Sequence, residues 1–392
     1  VAALPTATVA PTQVPLADTN PEKPNDATQG RLRVSNCTVG GPGVNVYIDG
    51  EIAVNGGRQM TNIANRSVSG YIYLQPGTYS VALAKPGTSL DNALLSPLDV
   101  TVEAGHRYTV VAMGKATDPE RKALVIDETA AYEAADLSPG SIRHIWVNNV
   151  SGSEGVSFRW EGAGEVAAYG EYVVAAAPEI FSDFQVVTTG PGEPVVEDVG
   201  AGTNIPGAEW FDCFLGVYPN LEHQISSQYG SELTALDLLT LQSAFRATLE
   251  AQGNERSRSF TSYGTFLDAL ERTGLDELLA SGGPFLLLAP TDVAFTNLPK
   301  EQLDALLGDT EALEALLRGH IVEGYFPSGT MGPSGGGFGR TVTNLRGEQL
   351  TLTGNDEGLN INDQPIGPTG VFIVANGTRV MPINTLLLPE AN

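Results

Sequence analysis

In "GPGVNVYIDG" (41–50), Val44, Val46 and Ile48 alternate with polar neighbours, and in "SEGVSFRWEG" (153–162) Val156, Phe158 and Trp160 do the same. Alternation with period two predicts strands that bury one face. The longer stretches 33–50 and 145–162 align without a gap: Asn36 with Asn148, Gly40 with Gly152, Gly43 with Gly155, Gly50 with Gly162. This is an internal repeat. Further strands are expected in "GYIYLQPGTYSVALA" (70–84), "HRYTVVAMG" (106–114), "KALVIDE" (122–128) and "EYVVAAAPEIFSDFQVVTTG" (171–190). Short strands, frequent turn signals and almost no helical period predict two tandem all-β, Ig-like sandwiches over 31–137 and 138–222. Asp49, before Gly50, reads as a hairpin turn former rather than a catalytic or metal-binding acid.

From about Glu222 the period changes. Leu233, Leu236, Leu239 (or Leu238) and Phe245 fall near helical spacing, and Gly253 supplies a stop. Residues 223–258 are therefore expected to be a helical connector. A second helix places Tyr263, Phe266, Leu267 and Leu270 on one face, interrupted at Gly274. Then comes "GPFLLLAPTDVAFTNLP" (283–299). Its apolar run predicts a strand buried on both faces, ended by Pro290. Thr291 or Asp292 is expected to cap the short helix that follows, with Phe295 pointing into the core. Two more helical stretches, a Gly-rich segment and several strands complete the chain.

Charge narrows the function. The net charge of −25 repels phosphate backbones and excludes nucleic acid as the natural partner. It suits a secreted, extracellular protein and is compatible with weak divalent-cation binding. No apolar run approaches the ~20 residues of a membrane span. Residues 1–30 form a Pro/Thr-rich tail or linker, in the style of the stalk that follows a removed export signal in bacterial surface proteins. Residue 1 is not cysteine, so an N-terminal lipid anchor is not expected.

Cys37 and Cys213 permit one long-range disulfide in an oxidising compartment, or two buried free thiols. Asn36, Asn65, Asn149 and Asn376 open N-x-[ST] sequons and are candidate glycosylation sites. The best calcium-loop candidate, Asp356, Glu357 and Asp363 in "GNDEGLNINDQP", lacks alternating carboxylates and reads as a β-turn, so no cofactor is expected. His106, His144, His223 and His320 lie in separate segments, and no catalytic motif occurs. The chain reads as no enzyme.

Two resemblances add to this. "VNVYIDG" and "LQPGTYSVAL" resemble the opening of an uncharacterised family of secreted prokaryotic β-sandwich domains; the second copy is diverged, with Trp160 and Glu161 at the family's apolar and Asp positions. "FLLLAPTDVAFTNLP" and "GTRVMPINTLLLP", in order and properly separated, resemble a fasciclin-like domain over about 259–390, within an expected last domain of 259–392. That resemblance implies an α+β wedge, a surface location, roles in adhesion or matrix assembly, and no catalysis. Animal members carry a Tyr-His pair associated with integrin adhesion; here His320 aligns but Gly319 replaces the tyrosine, so His320 is expected to be a packing residue.

The combined expectation is multidomain: two sandwiches, then an α+β domain, in a non-enzymatic extracellular adhesion or structural protein. Its partners would be other surface or matrix components, or itself. In the self-assembling form, the N-terminal tail adds "TATVA" as an edge strand to the next subunit, giving a head-to-tail filament with Thr6, Thr8, Val9 and Val14 at the contact. The alternative is a glycan- or small-ligand-binding module, for which Trp146, Trp160 and Trp210 are the residues to inspect.

Overall fold

The computed structural model describes residues 28–389, apart from 56–57, 116–120, 139–140, 161–163, 182–183, 199–201, 205, 232–233, 282–284, 325–337, 356–357, 363, 366–372 and 376–377. The first sandwich contains β1 (Gly30–Asn36), β2 (Asn45–Ile48), β3 (Ile72–Leu74), β4 (Gly77–Ala84), β5 (Leu95–Val102), β6 (Arg107–Met113) and β7 (Lys122–Asp127). One sheet runs β7-β6-β1, with β3 on the far side of β1; the other runs β2-β4-β5. Helix α1 (Glu128–Ala134) leads into the second sandwich, its first turn capped by the Asp127 carboxylate, which accepts the Ala130 N–H at 3.0 Å.

The second sandwich repeats the plan with β8 (Arg143–Ser151), β9 (Gly155–Trp160), β10 (Tyr172–Ala176), β11 (Phe184–Thr189), β12 (Val195–Asp198), β13 (Glu209–Val217) and β14 (Asn220–Ser231). β1 pairs β6 in parallel, and β8 pairs β13 in parallel. β2 pairs β4 as β9 pairs β11, and β7 lies on β6 as β14 lies on β13. The repeat read from glycine spacing is thus a repeat of topology.

The alternation does the packing. Leu32, Val34, Val44, Val46 and Ile48 meet Tyr79, Val81 and Val110 in the first core; Trp146, Val156 and Phe158 meet Phe184, Val186 and Phe214 in the second. Each such side chain, fully buried, stabilises by roughly 1.5–3 kcal/mol. Asp49 is a turn former: its φ is 50° and that of Gly50 is 85°, and its carboxylate accepts the Ser80 N–H at 2.8 Å.

The expected connector is corrected at both ends. Residues 220–231 are the last strand of the second sandwich, because β13 needs a partner on its open edge as β6 does. The helix that follows, α2 (Ala235–Ala251), is no spacer. Thr234 caps it by accepting the Asp237 N–H, and Ala235, Leu238 and Leu239 enter the core of the C-terminal domain.

That domain adds α3 (Gly264–Thr273), α4 (Leu275–Ser281), β15 (Phe285–Pro290), α5 (Asp292–Thr296), α6 (Lys300–Gly308), α7 (Thr310–Gly319), β16 (Ile321–Glu323), β17 (Phe338–Thr343), β18 (Gln349–Asn355), β19 (Gly358–Ile361), β20 (Ile373–Ala375) and β21 (Thr378–Ile383). β15 is buried on both faces. Phe285, Leu287 and Ala289 pack into the helical core with Phe266, Phe295 and Leu316; Leu286 and Leu288 pack between sheets with Val342, Leu350, Leu352 and Ile361. Pro290 closes the strand, as expected.

The capping differs from expectation. Neither Thr291 nor Asp292 caps α5. Thr291 donates its hydroxyl to Asn384 Oδ1 at 2.7 Å. Asp292 instead accepts from the Thr265 N–H (2.8 Å), the Gly264 N–H (3.2 Å) and the Ser262 hydroxyl. It caps α3 across the domain, and these bonds outweigh burial to hold its carboxyl below the usual range.

One sheet joins the second sandwich to this domain, in the order β10-β8-β13-β14-β20-β21-β15-β16. The junction is a short parallel pairing, Gly230 with Val374 and Ser231 with Ala375.

Candidate functional site

The sandwiches meet face to face through the outer sides of the β1–β6 and β8–β13 ladders. Cys37 and Cys213 are joined by a disulfide across this joint, with Cα atoms 6.3 Å apart. Around it Val111, Met113, Ile126, Ile145, Val147, Phe211 and Leu215 form a core of their own. The Asn149 amide crosses the joint too, donating to Cys37 O at 2.6 Å and accepting the Gly114 N–H at 2.9 Å.

Beside this apolar patch lies a buried ionic cluster. Arg33 donates to the Glu128 carboxylate at 2.8 Å and to the Thr109 hydroxyl at 2.8 Å, and the Tyr71 hydroxyl donates to Glu128 at 2.5 Å. Glu209 is held by Arg107 and Arg143 together. Arg143 also lies over the Tyr132 ring at 4.2 Å, and Arg33 over Phe211 at 5.1 Å. Burial pushes both carboxyls up, but the arginines win. Glu209 is held at about 2, and Glu128 is kept below its ordinary value by Arg33, Arg107 and its hydroxyl donors. Both acids are therefore anions at neutral pH. Sequence reading missed this cluster. The signal available was the apolar character of both faces in "YTVVAM", "IWVNNV" and "WFDCFL", which marks strands with a second core behind the first.

The remaining candidates disperse. Asn36 is fully buried, its amide donating to Pro42 O and Ile63 O, and Asn149 is engaged as above. Neither can carry a glycan in the folded chain, which corrects that expectation: a sequon in a central strand points into protein. Asn65 donates to Thr38 O at 2.5 Å and is half-buried. Asn376, the tail positions Thr6, Thr8, Val9 and Val14, and the calcium candidates Asp356, Glu357 and Asp363 lie outside the described residues. Among the described residues no group of three or more His, Cys, Asp or Glu side chains is placed to hold a metal.

His106 meets Asp127 at 2.8 Å, and His144 meets Asp212 inside the second sandwich. Trp146 is buried there, edge-on to Phe158, while Trp160 stacks on Phe158 at 5.5 Å and is half-buried. These rings are spent on each other and do not form an open platform.

The Gly319–His320 site is occupied from within. His320 donates from Nδ1 to Leu316 O at 2.9 Å and accepts the Leu387 N–H at Nε2, 3.0 Å away. Burial lowers it to about 4, so the ring is neutral. A Cβ on Gly319 would stand 2.7 Å from the Arg346 guanidinium carbon. Arg346 fills that space and donates to Ala315 O (3.2 Å), Leu387 O (3.3 Å) and the Glu348 carboxylate (2.5 Å). Glycine at 319 thus makes room for an arginine that ties α7 to the C-terminal segment.

No helix among the described residues is long and apolar enough to cross a membrane. Residues 261–389 match the Fasciclin domain and residues 30–143 a Domain of unknown function (DUF4397). The chain is 32% identical over 130 residues to the transforming growth factor-beta-induced protein ig-h3 of Sus scrofa, covering 33% of this chain and 18% of that protein. It is 34% identical over 112 residues to the cell surface glycolipoprotein MPB83 of Mycobacterium bovis, covering 28% and 46%. With periostin of Homo sapiens it shares 30% over 114 residues, covering 28% and 13%. It therefore spans less than half the length of each of these relatives. A carbohydrate-binding module (family CBM26) of Eubacterium rectale aligns over 51% of this chain and 97% of its own at 12% identity and a TM-score of 0.17, too distant a likeness to carry fold or function. What the two signature blocks, the two-faced strand β15 and these relatives identify together is a fasciclin domain at residues 261–389, set behind a β-rich region that opens with a DUF4397 domain.

Proposed function

We propose that this chain is a non-enzymatic adhesion or structural protein of the cell surface or extracellular matrix. The fasciclin domain at 261–389 carries this reading, since it supports a general role in adhesion. The name of the mycobacterial relative, a cell surface glycolipoprotein, agrees with the location. A disulfide between the sandwiches suits an oxidising compartment outside the cytosol. The adhesive surface of this chain is not the Tyr-His place of the animal domains, because Arg346 and the C-terminal segment cover it.

The sharper form is a head-to-tail filament in which residues 6–10 of one subunit add to a sheet edge of the next. Two measurements test the proposal. The purified chain immobilised on beads should retain cells or matrix from its source, and beads carrying residues 1–231 alone, which end before α2 and the core it shares with the C-terminal domain, should retain fewer; equal retention removes the fasciclin domain from the role. Electron microscopy of the full chain should show filaments that a chain lacking residues 1–28 does not form. Monomers in both samples would end the filament form and leave adhesion standing.

A further inference from the structure

The two cysteines divide the chain in an unusual way. Cys37 directly follows β1, the first strand among the described residues, and Cys213 lies within β13, which leads through β14 into the sheet of the C-terminal domain. Everything between them belongs to one covalently closed loop with a sequence separation of 176. That loop contains nearly the whole of both sandwiches.

We propose that the Cys37–Cys213 bridge is the tension-bearing path of this molecule. A pull on the two ends runs along β1, crosses the bridge, and continues through β13 and β14 to β20 and the fasciclin sheet. The backbone of residues 38–212 is bypassed and contributes no length. This is a further function, transmission of load, and it rests on the adhesion reading only for the source of the pull.

Three observations support it. The bridge joins central strands: β1 is held by β6 over the register Arg31–Asn36 with Arg107–Ala112, and β13 by β8 over Glu209–Val217 with Arg143–Ser151. Both cysteines are shielded, at 0% and 1% exposure, so reductants cannot reach the bond while the joint is closed. Its surroundings reinforce the same crossing point, because the Asn149 amide binds Cys37 O from the second sandwich and the Arg107–Glu209 pair spans the joint nearby. Beyond Cys213, the β13–β14 ladder hands the load to Val374 and Ala375. Hydrogen-bond ladders on either side yield before a covalent bond does, so stretching stops at the bridge.

The test is single-molecule extension of the full chain held at its two ends. Without reductant, the fully stretched native chain should fall short of its contour length by about 600 Å, from 176 steps of roughly 3.5 Å each. A thiol reductant added to the stretched chain should release that length in one step. The Cys37→Ser/Cys213→Ser chain should show it with no reductant. A native chain that reaches full length unreduced, or one that gains nothing on reduction, overturns the proposal. The wild-type comparison decides even where the double variant does not fold. Because the handles replace the adhesive partner, loss of adhesion with the shortfall intact sinks only the adhesion reading. Full extension of a chain that still adheres sinks only the load path.

Discussion

In the sandwich pair, Glu209 is buried as an anion between Arg107 and Arg143; in the fasciclin domain, His320 is buried as deeply but stays neutral, using both ring nitrogens on backbone groups. The two regions thus meet the cost of buried polar groups differently. A charged cluster is specific and demanding, since loss of one member leaves another uncompensated. A neutral, satisfied imidazole costs less to bury but is exposed to protonation. The sandwich joint also carries a covalent bond, whereas the fasciclin domain contains neither of the chain's two cysteines.

The sharpest way to break this contrast is Glu209→Gln. It strands two arginines in the joint and should cost the sandwich pair roughly 3–5 kcal/mol. Calorimetry should show its transition falling while that of the fasciclin domain holds. Equal falls would mean that the regions melt as one unit. Next is Cys37→Ser with Cys213→Ser, expected to cost about 2–5 kcal/mol, again in the sandwiches alone, with native protein under reductant as the companion sample.

Acid gives a third test, of comparable size. The His320 value is lowered to about 4 from 6.5. Its contribution, on the order of 3 kcal/mol, is fully present above pH 6.5 and is lost as pH falls towards 4. Glu209 is depressed to about 2 from 4.5, so its contribution is present above 4.5 and is lost as pH falls towards 2. The fasciclin domain should therefore yield first. The probes are separable, because Trp146, Trp160 and Trp210 are the chain's three tryptophans and all lie in the second sandwich, while most of the helix lies in the fasciclin domain. Helical circular dichroism should decay at higher pH than tryptophan emission shifts; the reverse order refutes the assignment.

Smaller effects sharpen the picture. Gly319→Tyr restores the aromatic of the animal domains but collides with Arg346, for about 1–3 kcal/mol. Adding Arg346→Ala should recover part of that loss, and additive losses in a double-mutant cycle would show that the two side chains do not compete for one space. Asp292→Ala removes the α3 cap, for about 1 kcal/mol, measured as a lower melting temperature of the fasciclin domain only.

Much of this architecture was legible in sequence. Alternation at Val44, Val46, Ile48 and at Val156, Phe158 and Trp160 marked the repeated strand, and the run Phe285–Ala289 marked a strand buried twice over. Those signals are local. The joint was not legible, because Arg33, Arg107, Arg143 and Glu209 are residue types that usually face water. Only the folded ladders show Ile145, Val147 and Phe211 sharing their face. The same limit hid the true cap of α3, where Asp292 reaches back to Thr265, and the filling of the space at Gly319 by Arg346. Sequons at Asn36 and Asn149 misled for the related reason that three residues do not report burial.

The sequence separation across the disulfide has a consequence for how the protein is made. Cys37 leaves the ribosome or the export channel long before Cys213, and its thiol must wait while 176 further residue steps arrive. Within these 392 residues there are two cysteines, so no wrong pairing exists among them. Among these residues a disulfide isomerase has nothing to correct, and the hazard this pair presents during biogenesis is a bond between two neighbouring chains. Closure of the joint around Cys37 is then the event that removes the thiol from its neighbours, so assembly of the second sandwich also ends the period in which nascent molecules can cross-link.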